Sequence, residues 1–121
     1  MKLLIVDDAA LVRKITRQLL SQYGLSSTDE AVHGADAVAK VKMAMDAGRS
    51  YDAILMDSSM KIMCGPEAAE AIRKLGYKGK IFGVTGHSDE ASINEFLRKG
   101  ADRVIVKPMT QGALSQILDG N

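Results

Sequence analysis

Four short apolar runs in this chain each end on a polar residue suited to handling a cation or a phosphate. Leu3-Leu4-Ile5-Val6 runs into Asp7-Asp8, and Ala53-Ile54-Leu55-Met56 into Asp57. Ile81-Phe82-Gly83-Val84 runs into Thr85, and Val104-Ile105-Val106 into Lys107-Pro108. Apolar runs of this length, bounded by turn signals, fit parallel strands buried on both faces. Helical stripes alternate with them. Leu11, Ile15 and Leu19 form one that closes at Gly24, and Val38, Val41 and Met45 a second. Ala68, Ile72 and Leu75 form a third, with Pro66 near its start and Gly76 after its end. Ile93, Phe96 and Leu97 form a fourth, with Ser88 as its N-cap and Gly100 beyond it. Leu114, Ile117 and Leu118 mark a short fifth. A polar strand around Ser26 to Ala31 fits a sheet edge. The alternation predicts an α/β fold: (βα)5, a doubly wound five-stranded parallel sheet with right-handed crossovers, as one domain over 1–121.

The bulk numbers narrow the function classes. A net charge of +1 gives no electrostatic reason to bind nucleic acid or an anionic membrane. No apolar stretch approaches the ~18 residues needed to span a bilayer, and Met1-Lys2 opens no signal-peptide pattern. The single cysteine, Cys64, cannot form an intrachain disulfide. Together these predict a cytoplasmic domain without membrane contact, monomeric in the absence of any evident oligomerisation stripe.

In an open parallel sheet the strand C-termini share one edge, and ligands bind there. Asp7, Asp8 and Asp57 would meet at that edge with Thr85 and Lys107. Adjacent carboxylates repel, and Mg²⁺ is the natural remedy, since it takes one or two carboxylates and accepts phosphate oxygens. Asp57 can attack phosphorus to give an acyl phosphate. Lys107 can bind a phosphoryl oxygen, and Thr85 offers one hydroxyl donor. Each residue also has a plainer use: the acid pair as a helix cap, Lys107 as a surface cation, Thr85 as a turn residue. Capping and metal binding can coexist in Asp7-Asp8.

In order and spacing these residues resemble the receiver domain of two-component response regulators. The resemblance rests on Asp7-Asp8, Asp57 with Met60 three residues on, Gly65, Thr85-Gly86, Gly100-Ala101-Asp102 and Lys107-Pro108, and covers essentially the whole chain. It implies a flavodoxin-like fold with strand order 2-1-3-4-5. It further implies that Asp57 is the phosphoacceptor, receiving its phosphoryl group from a phosphohistidine on a histidine kinase or histidine phosphotransfer protein. Asp8, Asp57 and the backbone carbonyl of Ser59 would bind Mg²⁺, with Asp7 reaching it through water. Lys107 and Thr85 would hold the phosphoryl oxygens, and Lys107-Pro108 would be cis. Such a domain is a signalling acceptor with self-catalysed transfer and slow autodephosphorylation, not a turnover enzyme.

Two positions depart from the family pattern. Lys61 stands where proline usually follows the methionine, and Val104 stands at the usual aromatic switch position. Gly83 to His87 is similar to receivers attached to hybrid histidine kinases. Ser59 and His87, each two residues beyond a site residue, are expected to flank the phosphoryl group. Three competitors remain. A haloacid dehalogenase-type phosphatase would need an acid two residues after its nucleophile, where Ala9 and Ala10 follow the acid pair. A flavin carrier would need a neutral phosphate loop after the first strand. A pseudo-receiver would serve only as a docking module.

Overall fold

In the computed structural model, which describes residues 1–110, 112, 113 and 115, the elements alternate along the chain. They run β1 (Leu3–Val6), α1 (Ala10–Ser21), β2 (Thr28–Ala31), α2 (Gly34–Asp46), β3 (Ala53–Asp57), α3 (Gly65–Lys74), β4 (Lys80–Thr85), α4 (Glu90–Lys99) and β5 (Arg103–Val106). The strands form one parallel sheet in the order β2-β1-β3-β4-β5, as expected. Leu114, Ile117 and Leu118, the expected fifth helix, lie outside the described residues.

The apolar runs are buried on both sides because alternate residues feed two cores. Leu4, Val6, Ile54, Met56 and Ile81 pack with Val41, Ile72 and Phe96 from α2, α3 and α4. Leu3, Ile5, Leu55, Phe82, Val84 and Ile105 pack on the opposite face with Leu20 of α1. β2 is the polar edge strand, and only Ala31 in it is buried. Its acids are tied inward: Tyr51 donates its hydroxyl to Asp29 at 2.8 Å, and Glu30 takes Arg13 and Arg17 of α1.

The helix boundaries follow local chemistry, with two corrections. Pro66 sits in the first turn of α3, and Gly24 and Gly76 take positive φ after α1 and α3. The N-cap of α4 is Asp89 and not Ser88, because its carboxylate accepts both the Ser92 backbone N–H at 3.0 Å and the Ser92 hydroxyl at 2.7 Å. On α1 the stripe does not seal the core. Leu11 is 67% and Ile15 53% exposed, while Leu20 is buried. Ile15 and Leu19 instead line an open apolar groove with Leu55, Val84 and Met109.

The register sets the site. Val6 pairs with Met56, so Asp7 and Asp57 come level one step later. Asp57 pairs with Val84, which brings Thr85 one step beyond, and Thr85 pairs with Val106, the residue before Lys107. Ladder bonds continue past the strand ends: Ser58 N–H donates to the Val84 carbonyl at 2.9 Å, and Lys107 N–H to the Thr85 carbonyl at 2.7 Å.

Candidate functional site

The sheet edge brings Asp7, Asp8, Asp57, Thr85 and Lys107 together. One carboxylate oxygen from each of the three acids lies within 4.8 Å of the other two. Asp7 and Asp57 are buried, and Asp8 is exposed at the mouth. Lys107 Nζ donates to Asp57 Oδ1 at 2.7 Å and stands 3.8 Å from Asp7 Oδ2. The Lys107-Pro108 peptide is cis.

Electrostatics follow from that packing. Burial pushes the Asp57 carboxyl above its ordinary value; the Lys107 hydrogen bond opposes this, and the charge of Asp7 adds to the rise. For Lys107, burial works against the charged form, but the hydrogen bond and charge of Asp57 outweigh it and the ammonium is held above its ordinary value. Three acids against one ammonium leave the pocket short of positive charge, the condition in which a hard divalent cation binds carboxylates.

Asp7 has two roles, as its sequence context allows. Its Oδ1 accepts the Ala9 N–H at 2.9 Å, ahead of α1, while Oδ2 faces Lys107. The Thr85 hydroxyl is buried and accepts the His87 N–H at 3.0 Å, which leaves its own proton free for another acceptor. Ser59 and His87 are exposed and line one small cleft of about 200 Å³ with Ser58, Thr85 and Phe96.

Sequence reasoning missed the residue that clamps the acid pair. Arg13 Nη1 donates to the Asp7 backbone carbonyl at 2.8 Å, and its Nε to Glu30 Oε1 at 2.9 Å. Lys40 Nζ in turn donates to the Glu30 carbonyl. The available signal was two arginines one helical turn apart on α1 beside an acidic edge strand.

The constellation is an acidic pocket with one ammonium at the carboxyl edge of a doubly wound sheet. A family model described as the response regulator receiver domain matches residues 3–119, and the chain belongs to that family. It is 36% identical over 118 residues to two-component response regulator 24 of Arabidopsis thaliana, covering 95% of this chain and 79% of that one. Among solved structures it is similar to the receiver domain of the histidine kinase CKI1 from Arabidopsis thaliana complexed with Mg²⁺ and BeF3⁻. That match has a TM-score of 0.85 at 28% identity, over 98% of this chain and 89% of the other. It is also similar to a chain of the CheX-CheY-BeF3-Mg²⁺ complex from Borrelia burgdorferi, with a TM-score of 0.87 at 26% identity, over 98% and 86%. Among the described residues no helix is long and apolar enough to cross a membrane.

Proposed function

We propose that this domain is the phosphoacceptor of a cytoplasmic two-component phosphorelay, with Asp57 as the acceptor. One observation carries the reading: Lys107 Nζ lies 2.7 Å from an oxygen of buried Asp57, and buried Asp7 with exposed Asp8 completes an acidic trio. A carboxylate oxygen of Asp57 attacks the phosphorus of a phosphohistidine. The P–N bond breaks, and its electron pair returns to the imidazole nitrogen, which takes up a proton. The product is an aspartyl acyl phosphate. Lys107 and the Thr85 hydroxyl would hold two of the phosphoryl oxygens, and Lys107 would offset the charge that grows as the dianionic group settles on Asp57.

The donor set of carboxylates and carbonyl fits Mg²⁺: Asp8, Asp57 and the Ser59 carbonyl would hold it, and Asp7 through a water. When bound, the ion supplies charge neutralisation for the transferring phosphoryl group. The donor is a histidine kinase or histidine phosphotransfer protein, and the domain turns over no free substrate. The haloacid dehalogenase alternative has no support in the loop after β1, where Ala9 follows the acids as the N-cap residue of α1.

The test is intact-mass measurement after incubation with acetyl phosphate and Mg²⁺. Wild type should gain one phosphoryl group and Asp57→Asn none. Labelling that persists in Asp57→Asn would move the acceptor elsewhere.

A further inference from the structure

The loop leading away from Asp57 carries an exposed apolar tip. Ile62 is 79% exposed, more than any other large hydrophobic among the described residues. Its φ is 71°, and among those residues no other non-glycine takes a positive φ. The Met63 N–H donates to the Lys61 carbonyl at 2.7 Å, closing a three-residue turn around Ile62. A γ-turn with positive central φ is the rare and strained form, and a β-branched residue is poorly suited to it. Glycine or asparagine would sit there with less strain.

The tip is mounted rigidly. Gly65 N–H donates to the Ser58 carbonyl at 2.9 Å, and a side chain at Gly65 would overlap the Asp57 carbonyl oxygen. Met60 and Met63 pack inward on the core, and the Met63 carbonyl abuts Gly34 so closely that a Cβ there would lie 2.5 Å away. With its neighbours turned in, Ile62 is turned out. Neither packing nor turn preference accounts for an isoleucine at this point, and strain of this kind persists where surrounding structure enforces it.

We propose that Ile62 is an apolar anchor for the phosphohistidine protein that delivers phosphate to Asp57. This rests on the acceptor reading above. Asp57 is only 5% exposed, so a donor histidine reaches it only when the donor's surface presses on the rim of the pocket. Ile62 lies in the loop that leaves Asp57, between Ser59 and Cys64, which both line the cleft beside Thr85. The docking surface proposed thus sits on the segment that carries the acceptor. A side chain held on a rigid loop loses little freedom on burial, as an interface anchor requires. The complementary feature on the donor is an apolar depression near its phosphohistidine, with a carboxylate within reach of exposed Lys61.

The test compares wild type with Ile62→Asn and Ile62→Ala against two phosphate sources. One is acetyl phosphate with Mg²⁺; the other is an autophosphorylated histidine phosphotransfer domain selected because it labels the wild-type chain. Acetyl phosphate labelling should stay within about twofold of wild type, while kcat/KM for the protein donor should fall by about tenfold or more. The thermal midpoint of Ile62→Asn should match or exceed wild type, since asparagine accepts positive φ. Unchanged transfer from the protein donor in both variants would overturn the proposal and leave the acceptor reading standing. An equal loss with both sources would mean that Ile62 shapes the pocket, and would also overturn it. Labelling of wild type by the protein donor at a residue other than Asp57 would bring down the acceptor reading and the docking proposal together.

Discussion

Replacing Lys107 by methionine keeps the side chain's length and removes its charge. At an effective dielectric of about 20, the separations of 2.7 Å to Asp57 and 3.8 Å to Asp7 correspond to attractions of about 6 and about 4 kcal/mol. On the same scale, carboxylates within 4.8 Å repel by about 3.5 kcal/mol per pair or more, about 10 kcal/mol for the trio. The attraction of the ammonium to Asp57 and Asp7 is thus about as large as the mutual repulsion of the trio, although the pocket stays net negative, and removing the ammonium leaves that repulsion unopposed. Two effects limit the damage. Lys107 is 36% exposed, so water screens part of the lost attraction. The site can also take a proton: at pH 7, protonating a carboxyl of ordinary pKa, about 3.9, costs about 4 kcal/mol, and Asp57 starts above that value. The expected loss at pH 7 without metal is thus about 2–4 kcal/mol.

The pH dependence fixes the cause. In Lys107→Met the folded-state pKa of Asp57 rises further above its unfolded value, so the variant is most stable with Asp57 protonated. That stability is lost as pH rises through the folded value and recovered as pH falls. Wild-type Lys107, held above its ordinary value, keeps its proton throughout this range. The gap between the two proteins should therefore narrow as pH falls, by at most about 1.4 kcal/mol per pH unit, over the interval between the folded-state values of Asp57 in the variant and in wild type. Urea unfolding at pH 7, 6 and 5, with and without Mg²⁺, measures it, and Mg²⁺ should stabilise the variant more than wild type. A gap of equal size at pH 7 and pH 5 would assign the loss to packing. No gap at pH 7 would refute the charge balance itself.

In Asp8→Asn the stabilisation by Mg²⁺, about 1.4 kcal/mol at tenfold excess over Kd, should largely vanish with the apo fold intact; an unchanged Mg²⁺-induced rise in Tm would remove Asp8 from the metal site. Ser59→Ala and His87→Ala should alter the lifetime of the acyl phosphate without altering Mg²⁺ affinity, and equal half-lives in all three proteins would make both plain loop residues. Arg73 reaches the carbonyls of Gly100, Tyr77 and Gly79 and the carboxylate of Asp102, so Arg73→Lys should cost about 2–3 kcal/mol in denaturant, because an ammonium cannot span that fork. With the beryllofluoride mimic, backbone amide shifts should concentrate in Thr85 to Ser88 and the start of α4. Shifts of similar size across Val104 would show a different route to the surface.

The strands were legible because burial on both faces leaves no room for polar residues, and the acids and lysine stood out as breaks in those runs. β2 was less legible: its residues are polar, and its place at the edge depends on pairing with β1 and on Glu30 meeting arginines from α1. The α4 cap was misplaced by one because Ser88 and Asp89 both suit an N-cap, and only the Ser92 contacts decide between them. The Arg13 clamp ties α1 to Asp7 and to Glu30 of the next strand; the arginine pair on α1 was a signal, but its partners are fixed only by the pairing of β1 with β2. The positive φ of Ile62 was invisible for the opposite reason. Residue type argues against it, and the loop's fixed ends impose it.

Phe96 shows how a residue can be placed correctly and its consequence still missed. In sequence it is one member of a helical stripe, and Val104 marks a strand position without a ring. In the fold, the Phe96 ring is buried against β4 and the start of α3: a Cβ at Gly83 would meet it at 2.7 Å, and one at Gly65 at 2.8 Å. Two glycines thus make the volume that one aromatic fills, a trade readable only once β4, α3 and α4 are seen in contact. The ring also lines the small cleft that Thr85 shares with Ser58 and Ser59. A close-packed ring has little room to yield, so inward motion of Thr85 or of the loop after Asp57 presses first on Phe96 and hence on α4. β5 offers only Val104, partly buried against the same core, and no ring to rearrange. The packing therefore links the acid pocket to α4 more directly than to β5, which is why the amide shifts are expected there.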